Sequence, residues 1–418
     1  MTDAAESFPL RVTCAPGLAP YLAAEVEALG LAVEATERTG VTIRHATARD
    51  VMRLNLELRT ALHVLKPIIS FRCDHPDRLY ERLSRFAWEA LIPDDGYVSV
   101  VSKVRTPSID NTMFANLRVK DAIVDRINAK CGRRPDSGPN RDEAVIHLYW
   151  WDDHVVVSID TSGRKLADRG YRRRPHAAPM SEPLCAAVLH ATGYDGSAPA
   201  VFPMCGSGTP AIEAALIATD RAPGLLRSNF GFMHFLDFDD ALWRTVRRET
   251  LNRNKKKHSP APILATDIDP AAIEAAEANA QTAGVHHLID FQVCDFEDSW
   301  VPVAEPGAIV MLNPEYGKRL GEIETLHGTY GRIGDWFKRA CSGYRGYIFT
   351  GNLDLARAVG LRTKRRLTFF SADLECRLLE YELWRGTDAP QKPEPPSPES
   401  SGNGGSTEVS TDSGSGSS

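Results

Sequence analysis

Nothing in these 418 residues approaches ~20 consecutive apolar positions, the run a helix needs to cross the hydrocarbon of a bilayer. The opening stretch MTDAAESFPL carries acids and lacks the basic-then-apolar order of a secretory leader. Cysteine is sparse and scattered: eight residues (14, 73, 131, 185, 205, 294, 341, 376), no CxxC pair and no metal-like spacing. That pattern excludes a disulfide scaffold or a zinc ribbon and predicts buried thiols in a reducing compartment. The expectation is therefore a cytoplasmic chain with no membrane partner and no metal. Basic charge is also short, the net charge being −6. Much of that deficit lies in the last 32 residues, Thr387–Ser418, where five acids face only Lys392. This stretch lacks aromatics and holds 19 Ser, Gly or Pro, so 387–418 is predicted to be a disordered tail. Without it the chain is close to neutral, and a nucleic-acid partner is not excluded.

The first 60-odd residues alternate strand and helix. Leu10–Cys14 is extended, Pro16 and Gly17 turn, Leu18–Leu29 is helical, and Gly30 stops it where a left-handed residue is needed. Short strands near Leu31–Glu34 and Val41–Arg44 precede a helix over Asp50–Leu62. A ferredoxin-like unit over residues 8–65 fits these elements. Residues 66–162 read as a second small α+β unit. It has a strand at Tyr97–Val104, a helix at Thr112–Ala129 and a hairpin of Val145–Trp150 with Val155–Asp160. In the helix, Met113, Leu117, Val124 and Ile127 form one apolar stripe, and Lys120 lies inside it with its charge led out to water. From 163 to 386 strand–helix units repeat, opening on Ala200–Phe202, Ile263–Ala265, Phe291–Cys294, Ala308–Leu312 and Tyr347–Phe349. Arg365–Phe370 and Cys376–Trp384 add an antiparallel edge. The fold class is α/β, with a mostly parallel, doubly covered sheet. Ligands in such a sheet bind beyond the carboxyl ends of the strands.

Four strand ends carry candidate chemistry. Met204-Cys205-Gly206-Ser207-Gly208 follows the first strand and leads into a helix at Pro210, with glycines that let the backbone turn and approach a ligand. It is neither GxxxxGK[ST] nor GxGxxG, so nucleotide hydrolysis is unsupported and a dinucleotide less favoured. Cys205 reads as a small buried residue. At the second strand end, Asp269 serves as an N-cap for a helix starting at Pro270, which leaves Asp267, followed by Ile268, free to hold a ribose diol. At the third, Asp295 and Phe296 could bracket an adenine amino group and ring. At the fourth, Asn313-Pro314-Glu315-Tyr316 builds a flat slot for a planar amine. The Asn313 side-chain oxygen and Pro314 carbonyl accept its two hydrogens, and Tyr316 stacks on the ring.

In order and spacing these blocks resemble the bacterial THUMP-containing class I S-adenosylmethionine (SAM)-dependent RNA methyltransferases, closest to the L-type 23S rRNA guanine-N2 branch. The likeness covers roughly 8–386. It is also carried by Thr112–Ile123, Ser162-Gly163, Arg169-Gly-Tyr-Arg172, Ala178-Pro179, Glu213–Leu216, Ala222–Gly224, Phe230–Phe232 and Leu374–Cys376. The resemblance implies a ferredoxin-like unit, a THUMP RNA-binding domain and a Rossmann-like methyltransferase domain with a seven-stranded, mostly parallel sheet. It implies SAM held by 204–208, Asp267, Ile268, Asp295 and Phe296. It also implies RNA, rRNA before tRNA, contacted through Lys120, Arg169 and Arg172. Basic clusters at Arg172–Arg174, Arg133-Arg134 and Arg244–Lys257 would meet phosphates.

Two departures stand out. Phe202 replaces the aspartate usual before Pro-Met-Cys-Gly, and Glu315 replaces the second proline of Asn-Pro-Pro-Tyr. The expected activity is methyl transfer to the exocyclic N2 amine of a guanine in 23S rRNA. The alternatives are adenine-N6 or tRNA guanine-N2 methylation, or a catalytically degenerate RNA-binding protein.

Overall fold

The computed structural model describes residues 6–109, 111–174, 180–253, 261–315 and 320–384. Tyr316, Ala178-Pro179, Lys255–Lys257 and the tail lie outside the described residues.

Leu10, Val12 and Cys14 alternate inward along β1 (Phe8–Cys14), and α1 (Ala19–Ala28) packs behind it. Gly30 takes the left-handed φ of +82° as the chain leaves the helix. β2 (Val33–Glu37) and β3 (Gly40–Ala46) follow, then α2 (Ala48–Glu57). A capping box starts α2: Thr47 Oγ1 accepts the Asp50 amide, and Asp50 accepts the Thr47 amide at 2.9 Å. The helix expected to reach Leu62 ends at Glu57, because Leu58 is already extended and Ala61 opens β4 (Ala61–Arg72). Pro67 inside β4 cannot donate to the ladder, and the register shifts between Pro67 and Ile69.

α3 (Pro76–Ser84), β5 (Tyr97–Arg105), α4 (Thr112–Cys131), β6 (Asp136–Ser137), β7 (Ala144–Trp151) and β8 (His154–Asp160) complete the N-terminal half. β4 pairs antiparallel with both β1 and β8, so this half is one eight-stranded sheet in the order β2-β3-β1-β4-β8-β7-β5-β6. The expected stripe on α4 is rotated. Val124 and Ile127 are buried, but Ile127 packs with Ala115, Val119, Ala122 and Ile123, while Met113 and Leu117 are 62% and 48% exposed. Small residues form much of this seam, so choosing the face by side-chain size missed it.

The second half contains α5 (Glu182–Thr192), β9 (Ala200–Pro203), α6 (Thr209–Ala218), α7 (Asp240–Arg253), β10 (Ile263–Asp267), α8 (Pro270–Ala283), β11 (Ile289–Val293) and β12 (Ile309–Leu312). It continues with α9 (Leu320–Ala340), β13 (Arg345–Thr350), α10 (Leu353–Arg357), β14 (Arg365–Ser371) and β15 (Leu374–Glu382). Its seven strands run β11-β10-β9-β12-β13-β15-β14; the first five are parallel, and β15 is antiparallel to both neighbours. Both faces are buried. Ala200 and Phe202 join the core shared with α1 and α2, while Val201 packs with Tyr330, Trp336 and Phe337 of α9. From β9 the chain winds outward through β10 and β11, then returns to β12 on the other side of β9. That reversal opens a crevice at the carboxyl ends of β9 and β12. Among the described residues no helix is long and apolar enough to cross a membrane.

Candidate active site

The loop after β9 is bent by three left-handed residues, Met204 (φ +53°), Gly206 (+53°) and Gly208 (+81°). Met204 is strained in that region, the kind of strain that clusters at ligand sites. A Cβ on Gly208 would lie 2.7 Å from that of Ala276, so glycine there lets α8 close onto the loop. A Cβ on Gly206 would meet nothing within 4 Å; the loop backbone is bare on that side. Cys205 is buried, and burial raises its thiol well above the ordinary value, as expected of a packing residue rather than a nucleophile.

Asp267 ends β10 and binds both neighbouring loops. Its Oδ2 accepts the Gly206 amide at 2.9 Å, its Oδ1 accepts the Asp269 amide at 3.0 Å, and its carbonyl accepts the Cys294 amide at 3.0 Å. Asp269 caps α8 through the Ala271 amide, as the sequence predicts. Ile268, next in line, is 67% exposed, a large apolar side chain left in solvent beside an acid. An acid with unused lone pairs, a bare glycine backbone and an exposed apolar face are the complements of a ribose diol, a nearby chain and a purine ring. The residues present fit an adenosine.

Asp295 and Phe296 are more committed than the sequence suggests. Asp295 caps the short turn that follows β11 and pairs with Arg332 of α9 at 2.8 Å. Burial pushes its pKa up, but Arg332 and the Glu297 amide outweigh that and hold it below the usual aspartate value. Phe296 is 5% exposed and meets Trp336 edge-on, with the Arg332 guanidinium 5.0 Å above its ring. Its ring is therefore part of the core rather than a free stacking surface. Arg332 was not singled out from the sequence: a lone arginine in a long helix carries no signal until the fold brings it to the acid.

Asn313 and Pro314 leave β12 directly beside the Met204–Gly208 loop, because Ile309 and Val310 register with Ala200 and Val201. Asn313 is half-buried, and its side-chain amide forms no hydrogen bond among the described residues. Glu315 is exposed, and its carbonyl accepts from the Tyr330 hydroxyl at 3.3 Å. Phe202 belongs to the core of the sheet.

The arginines expected on RNA are turned inward. Arg169 must be corrected: it is 1% exposed, with Nη1 2.5 Å from Glu213 and Nη2 donating to the Arg59 carbonyl, while Tyr171 donates to the other Glu213 oxygen at 2.9 Å. A buried charge persists only when paired, and this network joins the N-terminal half to α6. Arg172 donates to the Met180 carbonyl at 2.8 Å and to Thr209 Oγ1 at 3.1 Å, and pairs with Glu182 at 3.2 Å. It braces the start of α6. Asn279, unmarked in the sequence, pins the Arg173 and Arg174 amides and the Ser207 carbonyl through one buried amide group. Lys120 is half-buried beside Asp121, its nitrogen 2.8 Å from the carboxylate. Of the basic clusters, Arg133, Arg134, Arg174 and Arg244 are ion-paired with Asp95, Asp125, Glu274 and Asp240. Arg247 and Arg248 line an open groove of about 390 Å³ along α7 with Trp243 and Leu251.

A family model described as "RMKL-like, methyltransferase domain" matches residues 169–380. Models of the RlmL ferredoxin-like domain and the THUMP domain match 9–65 and 74–160. The chain is similar to "Ribosomal RNA large subunit methyltransferase K/L" of Syntrophotalea carbinolica, 37% identical over 393 residues, 91% of this chain and 55% of that protein. It is also similar to "Putative RNA methyltransferase slr0064" of Synechocystis sp., 32% identical over 380 residues, 91% of this chain and 98% of that protein. The chain thus spans about half the length of the K/L methyltransferases it matches. Among solved structures, SMU.472, a putative methyltransferase complexed with SAH, superposes with a TM-score of 0.81 at 25% identity, over 91% of this chain and 99% of that one. A predicted N6-adenine-specific DNA methylase of Listeria monocytogenes superposes with 0.79 at 30% identity, over 90% and 97%.

Proposed function

The chain belongs to the RMKL-like methyltransferase family, and we propose that it transfers a methyl group from SAM to the exocyclic N2 amine of a guanine in RNA, with 23S rRNA the target. The observation that carries this reading is the convergence of two strand ends on one crevice: Asp267 bracing the glycine loop, and Asn313-Pro314 emerging beside it. In this reading Asp267 holds the ribose, Ile268 lies against the adenine, and Asp295 faces its amino group. Met204, Cys205, Gly206, Ser207 and Gly208 supply the backbone the cofactor lies along. Bound there, SAM supplies an electrophilic methyl on a sulfonium, and the protein's task is chiefly alignment for in-line displacement.

A guanine amine is a poor nucleophile because its lone pair is delocalised into the ring. The Asn313 side-chain oxygen and the Pro314 carbonyl accept its two hydrogens, favouring a pyramidal nitrogen and stabilising the positive charge that develops on it. Tyr316 stacks on the base. A paired guanine reaches the slot only when flipped out or presented in a loop. Lys120 and the α7 groove are phosphate contacts in this scheme. The Listeria relative's description favours adenine as the second reading, since the same slot accepts an adenine amine. Nucleoside mass spectrometry of rRNA and tRNA from a deletion strain decides between them. Loss of an N2-methylguanosine from 23S rRNA supports the proposal; loss of N6-methyladenosine, or of a tRNA nucleoside, replaces it. Absence of SAM binding by calorimetry would instead favour a degenerate RNA-binding protein.

A further inference from the structure

Asn279 stands inside α8, where asparagine is a poor helix former and needs a reason from elsewhere in the fold. Its side chain is fully buried, and both ends of its amide are used twice. The oxygen accepts the Arg173 amide at 2.9 Å and the Arg174 amide at 3.1 Å. The nitrogen donates to the Arg174 carbonyl at 3.0 Å and the Ser207 carbonyl at 3.1 Å. Three of these four backbone groups belong to the chain arriving from the N-terminal sheet. The fourth belongs to the loop after β9. Ala276, one turn earlier on the same face of α8, lies against Gly208, so the helix touches this loop at two successive residues. Close by, Arg172 reaches Thr209 Oγ1 at 3.1 Å, and Arg169 and Tyr171 both bond Glu213 of α6. The segment 169–174 is thus bonded to the helix that the loop starts and, through Asn279, to the loop itself.

Apolar packing does not require this arrangement. The buried side of α8 is otherwise small and apolar, with Ala272, Ile273, Ala275, Ala276, Ala280 and Ala283. What asparagine adds is a bridge between two stretches of backbone. We infer that Asn279 is a positioning residue for the cofactor, making the Arg173–Arg174 backbone and the Met204–Gly208 loop one cooperative unit, so that SAM bound at the loop also fixes the segment from the N-terminal half. Without the bridge the Ser207 carbonyl loses its anchor. The loop then spends part of its time in conformations that do not bind, and the apparent affinity falls by the competent fraction. The inference rests on the cofactor half of the reading above, and not on the identity of the base.

The test is hydrogen exchange of the full chain, read by mass spectrometry with and without S-adenosylhomocysteine (SAH), together with calorimetric SAH affinity. With SAH at about 100 times its Kd, exchange in the native chain should slow by up to about 100-fold in peptides containing Gly206 and Gly208. Peptides containing Arg173 and Arg174 should slow in step with them. Slowing at the loop alone overturns the inference. Asn279→Asp keeps the volume and the acceptor for the two amides, but turns an oxygen toward the Ser207 and Arg174 carbonyls. It should weaken SAH on the order of tenfold. At SAH concentrations giving the same occupancy, the loop should still slow while Arg173 and Arg174 no longer follow. A lower urea midpoint with unchanged SAH affinity would make Asn279 a packing residue only. Slowing at Arg173 and Arg174 that survives in the variant would mean direct contact with the ligand, and would equally overturn the bridge. Should the variant fail to fold, the exchange pattern of the native chain decides by itself. Methylation of rRNA is measured on the same preparations. A native chain that shows the coupling but methylates no guanine sinks the proposed function alone. One that methylates rRNA without the coupling sinks this inference alone, and one that binds no SAH removes both.

Discussion

Asp267 and Gly206 are joined by a 2.9 Å hydrogen bond from the glycine amide to a carboxylate oxygen, which fixes the loop after β9 to the end of β10. The same carboxylate, in the proposed function, takes the ribose. Asp267→Ala should therefore weaken SAM binding by about 1–3 kcal/mol, the scale for a hydrogen bond to a charged group. Calorimetry measures it. A lower melting temperature with unchanged affinity would reduce Asp267 to a strand-end brace.

Asn313→Ala should abolish methyl transfer and leave SAM affinity nearly intact, because its side chain meets the base rather than the cofactor. Single-turnover rates and calorimetric affinity on one preparation give the answer. Normal turnover would remove the amine slot from the mechanism.

Arg169 and Glu213 make a different prediction, one about stability. Arg169→Met leaves a buried carboxylate without its main counter-charge and should cost about 3–5 kcal/mol in urea unfolding. Adding Glu213→Leu should recover much of that loss, since the pair is then replaced by apolar volume. A surface RNA contact would behave oppositely, losing affinity with little change in stability.

What the sequence made legible follows from how local each signal is. The five parallel strands, the Gly30 stop and the Asp269 cap are written in neighbouring residues, and the structure has them. Arg169 could not be read as buried because its partner Glu213 is 44 residues away and comes from another element. The same applies to Arg332, 37 residues beyond Asp295. β4 was hidden because Leu56, Leu58, Leu62 and Leu65 mimic a helical run, and only pairing to two distant strands resolves it.

Acid should destabilise the N-terminal half through His147. Burial, opposed by Asp160, lowers its pKa from 6.5 to about 4. Between those values the unfolded chain binds a proton that the native chain does not, so stability is lost as pH falls through this window. The loss reaches about 3 kcal/mol at pH 4 from this group. Urea midpoints of the native chain and His147→Gln, taken from pH 7 to 4, should show a shallower slope for the variant. Identical slopes would mean that His147 is solvated.

Glu315 stands where the family pattern has proline, beside the amine slot, and two physical roles compete for it. A carboxylate turned to the guanine edge would accept from N1–H and N2–H together, which adenine cannot offer, and would select the base. A carboxylate in solvent would matter only through its backbone. The residue is exposed, and the fold holds it through its main-chain carbonyl by Tyr330, which also bonds Thr350 at 2.9 Å. The second role is the one this geometry favours. Glu315→Pro should then be neutral or slightly faster, the stiffer loop losing less entropy on ordering, and Glu315→Gln should be neutral. Rates on guanine-containing and adenine-containing RNA test both variants. A loss of rate with guanine in the two together would make Glu315 the selectivity element. Unchanged rates would leave Asn313, Pro314 and Tyr316 as the whole slot.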